Sequence, residues 1–114
     1  MDPDADYEIS IKVTFKIDSE RYEEDNVKLV SEFMRNVSAS VELPRFDEMT
    51  VKTLGGGLYA WEMRHVECLG YSSEYTYREV KNIIEDKIVD EMNAKCDEDL
   101  MLTVESVDVE LEEA

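Results

Sequence analysis

Between Tyr7 and Ile17 apolar and polar side chains alternate without a break. Ile9, Ile11, Val13, Phe15 and Ile17 point one way, and Glu8, Ser10, Lys12, Thr14 and Lys16 the other. A period of two is the pleat of a strand, and a helix would scatter these residues around its whole circumference. One face of the strand has to be covered and the other tolerates water, which is the habit of an antiparallel sheet with a single packed face. The chain must therefore supply a second layer to lie on the apolar side.

Two stretches have the period of helices. Asp18 and Ser19 offer N-cap oxygens, with Glu20, Glu23 and Glu24 placed where the helix dipole favours negative charge. Tyr22, Val27, Val30, Phe33, Met34 and Val37 follow at three- and four-residue spacing and predict an amphipathic helix over about residues 20–38. Thr76-Tyr77-Arg78-Glu79 has the spacing of a capping box. Val80, Ile83, Ile84, Ile88, Met92 and Cys96 continue it, so a second helix is expected over about 76–96, ended by Asp97-Glu98-Asp99.

Between the helices, residues 40–49 read as irregular, and Pro44 limits any strand there to a sheet edge. Thr50 to Leu54 reads as a short strand, Gly55-Gly56-Gly57 as a hairpin turn, and Leu58 to about Leu69 as a longer strand. Tyr59, Trp61, Met63 and His65 alternate with Leu58, Ala60, Glu62, Arg64, Val66 and Cys68. The aromatic set is expected in the core over the first half, with a bulge near His65 shifting the phase. A last strand shows Leu100, Leu102 and Val104 and then Val107, Val109 and Leu111, a slip that places a bulge near Glu105-Ser106.

Strand, helix, strand, strand, helix, strand is the split pattern of the ferredoxin-like α+β folds, with two helices on one face of a four-stranded antiparallel sheet. The first and third strands are expected at the centre and the last at an edge beside the first. A length of 114 residues suits one domain: an acidic arm over 1–6, the folded body over 7–111 and an acidic tail over 112–114. Ile11, Val13, Phe15, Val30, Phe33, Ile84, Ile88 and Leu102 are the expected core.

Charge is what sets this chain apart. Twenty-nine acids against twelve bases give a formal net charge of −17, where small domains ordinarily carry a magnitude of roughly 2 to 8. Such a surplus repels itself, repels nucleic acid and anionic membranes, and attracts basic surfaces. It is uneven: residues 26–73 hold six acids and five bases, whereas 100–114 hold five acids and no base. An even solvating coat would not leave a near-neutral middle, so an acidic face is expected.

Other motifs lead away from chemistry. Cys68 and Cys96 fit no metal-ligand spacing and read as semi-buried small hydrophobes in a reducing compartment. No basic-then-apolar leader opens the sequence and no apolar run approaches the roughly 20 residues of a membrane helix, so a cytoplasmic protein is expected. Asn36-Val37-Ser38 matches a glycosylation pattern but falls inside a helix. Asp2-Pro3-Asp4-Ala5-Asp6 lacks the glycine and closing glutamate of a calcium loop. His65 has only Glu67 beside it, short of a catalytic set. The glycines join two strands, whereas a phosphate cradle needs a helix after them. No cofactor, metal or enzymatic activity is expected.

Two groups are left as candidates for partner binding. One is acidic: Asp86, Asp90, Glu91, Asp97, Glu98, Asp99, Glu105, Asp108 and Glu110. The other is aromatic: Tyr71, Tyr75 and Tyr77, a residue type favoured at interfaces. Carboxylates on regular elements can be spaced like phosphates, which lie about 7 Å apart along a strand, twice the rise per nucleotide. In composition the chain resembles the small acidic DNA-mimic and host-takeover inhibitors that bacteriophages encode. The resemblance implies a non-enzymatic inhibitor or modulator of a basic, nucleic-acid-binding host protein, with no direct contact to nucleic acid or membrane. The rival reading is a scaffold or oligomerisation module, a dimer included, whose acidity serves solubility alone.

Overall fold

The computed structural model describes residues 1–18, 20–41, 48–96 and 101–114, with Glu48 given by its backbone alone. Asp6–Ile17 forms β1, Glu23–Val41 α1, Glu48–Gly55 β2, Leu58–Cys68 β3, Tyr77–Lys95 α2 and Leu102–Glu113 β4. The strands make one antiparallel sheet in the order β2-β3-β1-β4. The fold is thus α+β, a four-stranded sheet with two helices. β1 and β3 are central and β4 is an edge beside β1, as the sequence leads one to expect.

The alternation of β1 decides where the core lies. Ile9, Ile11, Val13 and Phe15 are no more than 1% exposed. They meet Val30, Phe33, Met34 and Val37 of α1 and Val80, Ile84, Ile88 and Met92 of α2 in one cluster, so both helices cover the same face. Phe15 and Phe33 meet edge to face with ring centroids 5.9 Å apart, a favoured aromatic geometry. Every residue of the expected core is buried.

α1 begins three residues later than the spacing predicts. Glu23, Glu24 and Asp25 occupy its first turn, and the Tyr22 carbonyl accepts from the Asp25 and Asn26 amides. Tyr22 stands outside the helix at 83% exposure and not on its apolar face. Asn26 takes the inward position instead, buried and donating from Nδ2 to the Tyr59 hydroxyl at 3.0 Å. A buried amide is tolerated when it is hydrogen-bonded. Ser19, Leu100 and the stretch around Pro44 lie outside the described residues.

β2 is longer than expected and meets β3 through a tight hairpin. Gly56 and Gly57 have φ of 62° and 80°, the positive values a type I′ turn demands of both central residues. Gly57 also closes on β1: its carbonyl accepts from the Ile17 amide at 2.9 Å, and a Cβ there would lie 3.1 Å from the Ile17 oxygen.

On β3, Tyr59, Trp61 and Met63 are buried. The expected bulge near His65 is absent, because β1 and β3 pair in unbroken register from Asp6↔Cys68 to Lys16↔Leu58. His65 and Glu67 keep the core-side parity at the end of the sheet and satisfy each other, Nε2 to Oε2, at 3.3 Å. The cysteines are also corrected: both are free and exposed. Cys68 sits on the uncovered side of the end of β3 and Cys96 at the C-cap of α2.

Thr76 caps α2, its hydroxyl accepting from the Glu79 amide and donating to the Glu79 carboxylate, each at 3.2 Å. The bulge in β4 stands where the sequence places it. Ser106 pairs with Thr14 and Val104 with Phe15, leaving Glu105 as the extra residue.

Truncating Phe15 or Phe33 to Ala is expected to cost about 3–5 kcal/mol, the range for emptying an aromatic site in a core, as read by chemical denaturation. Gly57→Ala should lower stability by about 1–2 kcal/mol through its left-handed backbone and its close approach to Ile17. Gly56→Ala, with open space around its Cβ position, should cost less.

Candidate functional site

Two backbone hydrogen bonds fix which way each peptide of the sheet faces. Ala114 N–H donates to the Asp6 carbonyl at 3.0 Å, and Ile17 N–H to the Gly57 carbonyl at 2.9 Å. In an antiparallel ladder such pairs recur at every second residue. The even-numbered residues of β1 therefore bond toward β4 and the odd-numbered ones toward β3. On β4, Asp108, Glu110 and Glu112 bond inward to Lys12, Ser10 and Glu8, their register partners. The peptide groups of Val107, Val109 and Leu111 point outward from the edge.

Side chains follow the same parity. Val107, Val109 and Leu111 turn to the core, and Asp108, Glu110 and Glu112 to the uncovered face, all three exposed. At a rise of about 3.4 Å per residue, successive carboxylates of this row are about 7 Å apart. Glu105, at the bulge, is exposed beside them. Glu112 belongs to the row although the sequence reading leaves it in a tail. Its two-residue spacing from Glu110 was the available signal.

Across the rest of that face the charges are mixed. Arg64 Nε pairs with Glu8 Oε1 at 3.1 Å, and Lys52 Nζ with Glu62 Oε2 at 3.1 Å. A shallow concavity of about 470 Å³ lies between them and β4, bordered by Lys12, Glu62, Arg64, Asp108 and Glu110. The concentrated negative charge is consequently a strip along β4 and not the whole face. From the far side of the edge, Lys81 of α2 brings its Nζ to 3.6 Å from Glu110 Oε1.

The acids of α2 do not join this strip. α2 lies on the core side of the sheet, and Asp86 and Asp90 are exposed on the helix's outer surface, with the sheet between them and Asp108. Glu91 is half-buried, pairs with Lys95 at 3.5 Å and borders a groove with Ser40 and Lys87. Asp97, Glu98 and Asp99 lie outside the described residues. The expected single acidic face is in fact two surfaces.

The tyrosines gather at the end of the sheet where β1 begins. Tyr71 and Tyr75 meet edge to face at 5.4 Å, and Tyr77 meets the buried Tyr7 at 5.8 Å. Residues 1–5 fold back onto this corner. The Met1 ammonium donates to the Tyr75 carbonyl at 2.6 Å, the Asp2 amide to the Tyr7 hydroxyl at 2.7 Å, and the Cys68 thiol to the Pro3 carbonyl at 3.1 Å. Tyr75 and Tyr77 keep 39% and 46% of their surface, while Tyr71 packs against the core. At the opposite end, Tyr22, Leu54 and Met101 are exposed apolar side chains that sequence pattern does not single out.

Among the described residues no group of three or more His, Cys, Asp or Glu is gathered as a metal site requires, and no helix is long and apolar enough to cross a membrane. Comparison with protein-family models, curated proteins and solved structures finds no match to this chain.

Partial burial against its neighbours, then the nearby Tyr7 and Glu113, push the Tyr77 phenol above its ordinary value of 10.0. A raised folded value means that the fold favours the neutral phenol. That contribution is complete below pH 10 and is lost as pH climbs through the folded value. An ultraviolet phenolate titration should show a late component that disappears in Tyr77→Phe.

Proposed function

We propose that this protein is a non-enzymatic binder that inhibits or modulates a basic, nucleic-acid-handling partner in the cytoplasm, presenting carboxylates where that partner expects phosphates. The fold is read as ferredoxin-like, supported by the β-α-β-β-α-β order and a sheet with β1 and β3 at its centre. The observation that carries the functional reading is the row Asp108, Glu110 and Glu112 on an edge strand, spaced like successive phosphates and held by the rigid pairing of β4 with β1. The net charge of −17 steers a basic partner toward the protein and keeps nucleic acid itself away. The mode of action is that of the phage-encoded inhibitors the composition resembles. Self-association through this edge is disfavoured, since a second β4 laid antiparallel would set acid against acid.

Charge reversal tests the reading. The triple variant D108K/E110K/E112K should lose salt-labile capture of a basic nucleic-acid-binding protein from a host lysate, and lose the ability to displace that protein from DNA. D86K/D90K, on the far surface, should keep most of both. Both variants should stay folded by circular dichroism, because exposed charges contribute little singly to stability. Wild-type binding should fall steeply with salt, as screening acts over about 8 Å at physiological ionic strength. Equal losses from the two variants would show that net charge alone matters. Self-association with no captured partner would establish the scaffold reading instead.

A further inference from the structure

We infer that β4 receives an extended segment of the partner as a fifth strand, and that this segment carries lysine or arginine at every second position with small apolar residues between. The inference rests on reading β4 as the binding surface and names what that surface takes.

The edge is open in a specific way. No described strand pairs with the outer side of β4, and the outward peptide groups are those of Val107, Val109 and Leu111. An incoming strand has to move aside the Lys81 side chain that reaches past the edge to Glu110. An antiparallel segment laid there would bond through these three residues. Its own residues opposite them would turn toward the covered side of the sheet. There they would meet the flank of α2 where Glu85 and Val89 are half-buried one turn apart. Partial burial against that flank favours short side chains, apolar ones opposite Val89.

The intervening residues of the segment would stand opposite Asp108, Glu110 and Glu112. These are non-hydrogen-bonded pairs, in which Cα atoms approach to about 4.5 Å and side chains are closest. Each would face a carboxylate on the open face, so opposite charge there is favoured and like charge penalised. An ammonium already occupies such a position: Lys81 reaches round the edge to Glu110 at 3.6 Å. β4 has no base of its own with which to neutralise its row. Backbone pairing supplies affinity and the alternating charges fix the register, the division of labour in strand addition generally.

Three synthetic peptides test this on the whole chain at low salt. The first is Lys-Val-Lys-Val-Lys-Val-Lys. The second has the same composition in blocks, four lysines and then three valines. The third is the alternating peptide with its valine amides N-methylated, which keeps the charge, removes the three donors to β4 carbonyls and sets methyl groups against the edge. Fluorescence anisotropy should show the first binding at least about tenfold tighter than the other two, a difference of about 1.4 kcal/mol. Amide hydrogen exchange should slow at Val107, Val109 and Leu111 with the first peptide alone. Equal affinity for all three peptides, or unchanged exchange at those amides, would overturn the inference. Slowed exchange in a protein that captures no nucleic-acid-binding partner would uphold strand addition while removing the phosphate-mimic reading.

Discussion

β1 is hydrogen-bonded along both of its edges, and that double commitment positions everything else in the molecule. Its odd-numbered peptides are spent on β3 and its even-numbered ones on β4. The same parity sends Ile9, Ile11, Val13 and Phe15 into the core. Both helices then have one apolar surface on which to lie. The hairpin is tied to the end of β1 by the Ile17–Gly57 bond, and residues 1–5 close the other end over Tyr7. A change that rotated β1 by one residue would invert both the packing and the exposed surface together.

A small domain with this charge has to keep its acids from accumulating against one another. On the uncovered face Arg64 of central β3 and Lys52 of edge strand β2 pair across strands with Glu8 and Glu62 and offset local repulsion. Such exposed pairs contribute little individually, but they leave the surplus at the margin. There the acids of β4 outnumber the bases near them, Lys81 beside Glu110 and Lys12 opposite Asp108. An acidic edge strand also discourages pairing with further copies of the chain, a familiar safeguard for open sheet edges.

Much of the fold was legible because strands and helices write different periods into the sequence. The alternation from Ile9 to Ile17 and the spacing from Val80 to Met92 mark their elements directly, and the slip between Val104 and Val107 marks the bulge. The start of α1 was harder to read. Tyr22 fits the apolar spacing, whereas the inward position belongs to Asn26, whose partner Tyr59 lies 33 residues away. Local pattern carries no trace of such a distant hydrogen bond. The candidate acidic surface was legible in composition and on β4, but not in its division. Asp86 and Asp108 both belong to acidic, regular elements, and only the stacking of α2 over the sheet shows that they face opposite directions.

The bulge at Glu105 gives β4 something like a reading frame. Upstream of it, Leu102 and Val104 face the core as even-numbered residues; downstream, the inward set is odd-numbered, Val107, Val109 and Leu111. Loss of Glu105 would remove the bulge and let the alternation run unbroken through Val104, Ser106 and Val107, with both sets still facing as they do. The acidic row and the packing beneath it are therefore tied through a single unpaired residue. The strand can lose that residue and keep its phase, whereas losing one elsewhere downstream with the bulge kept would turn acids of the row against the helices.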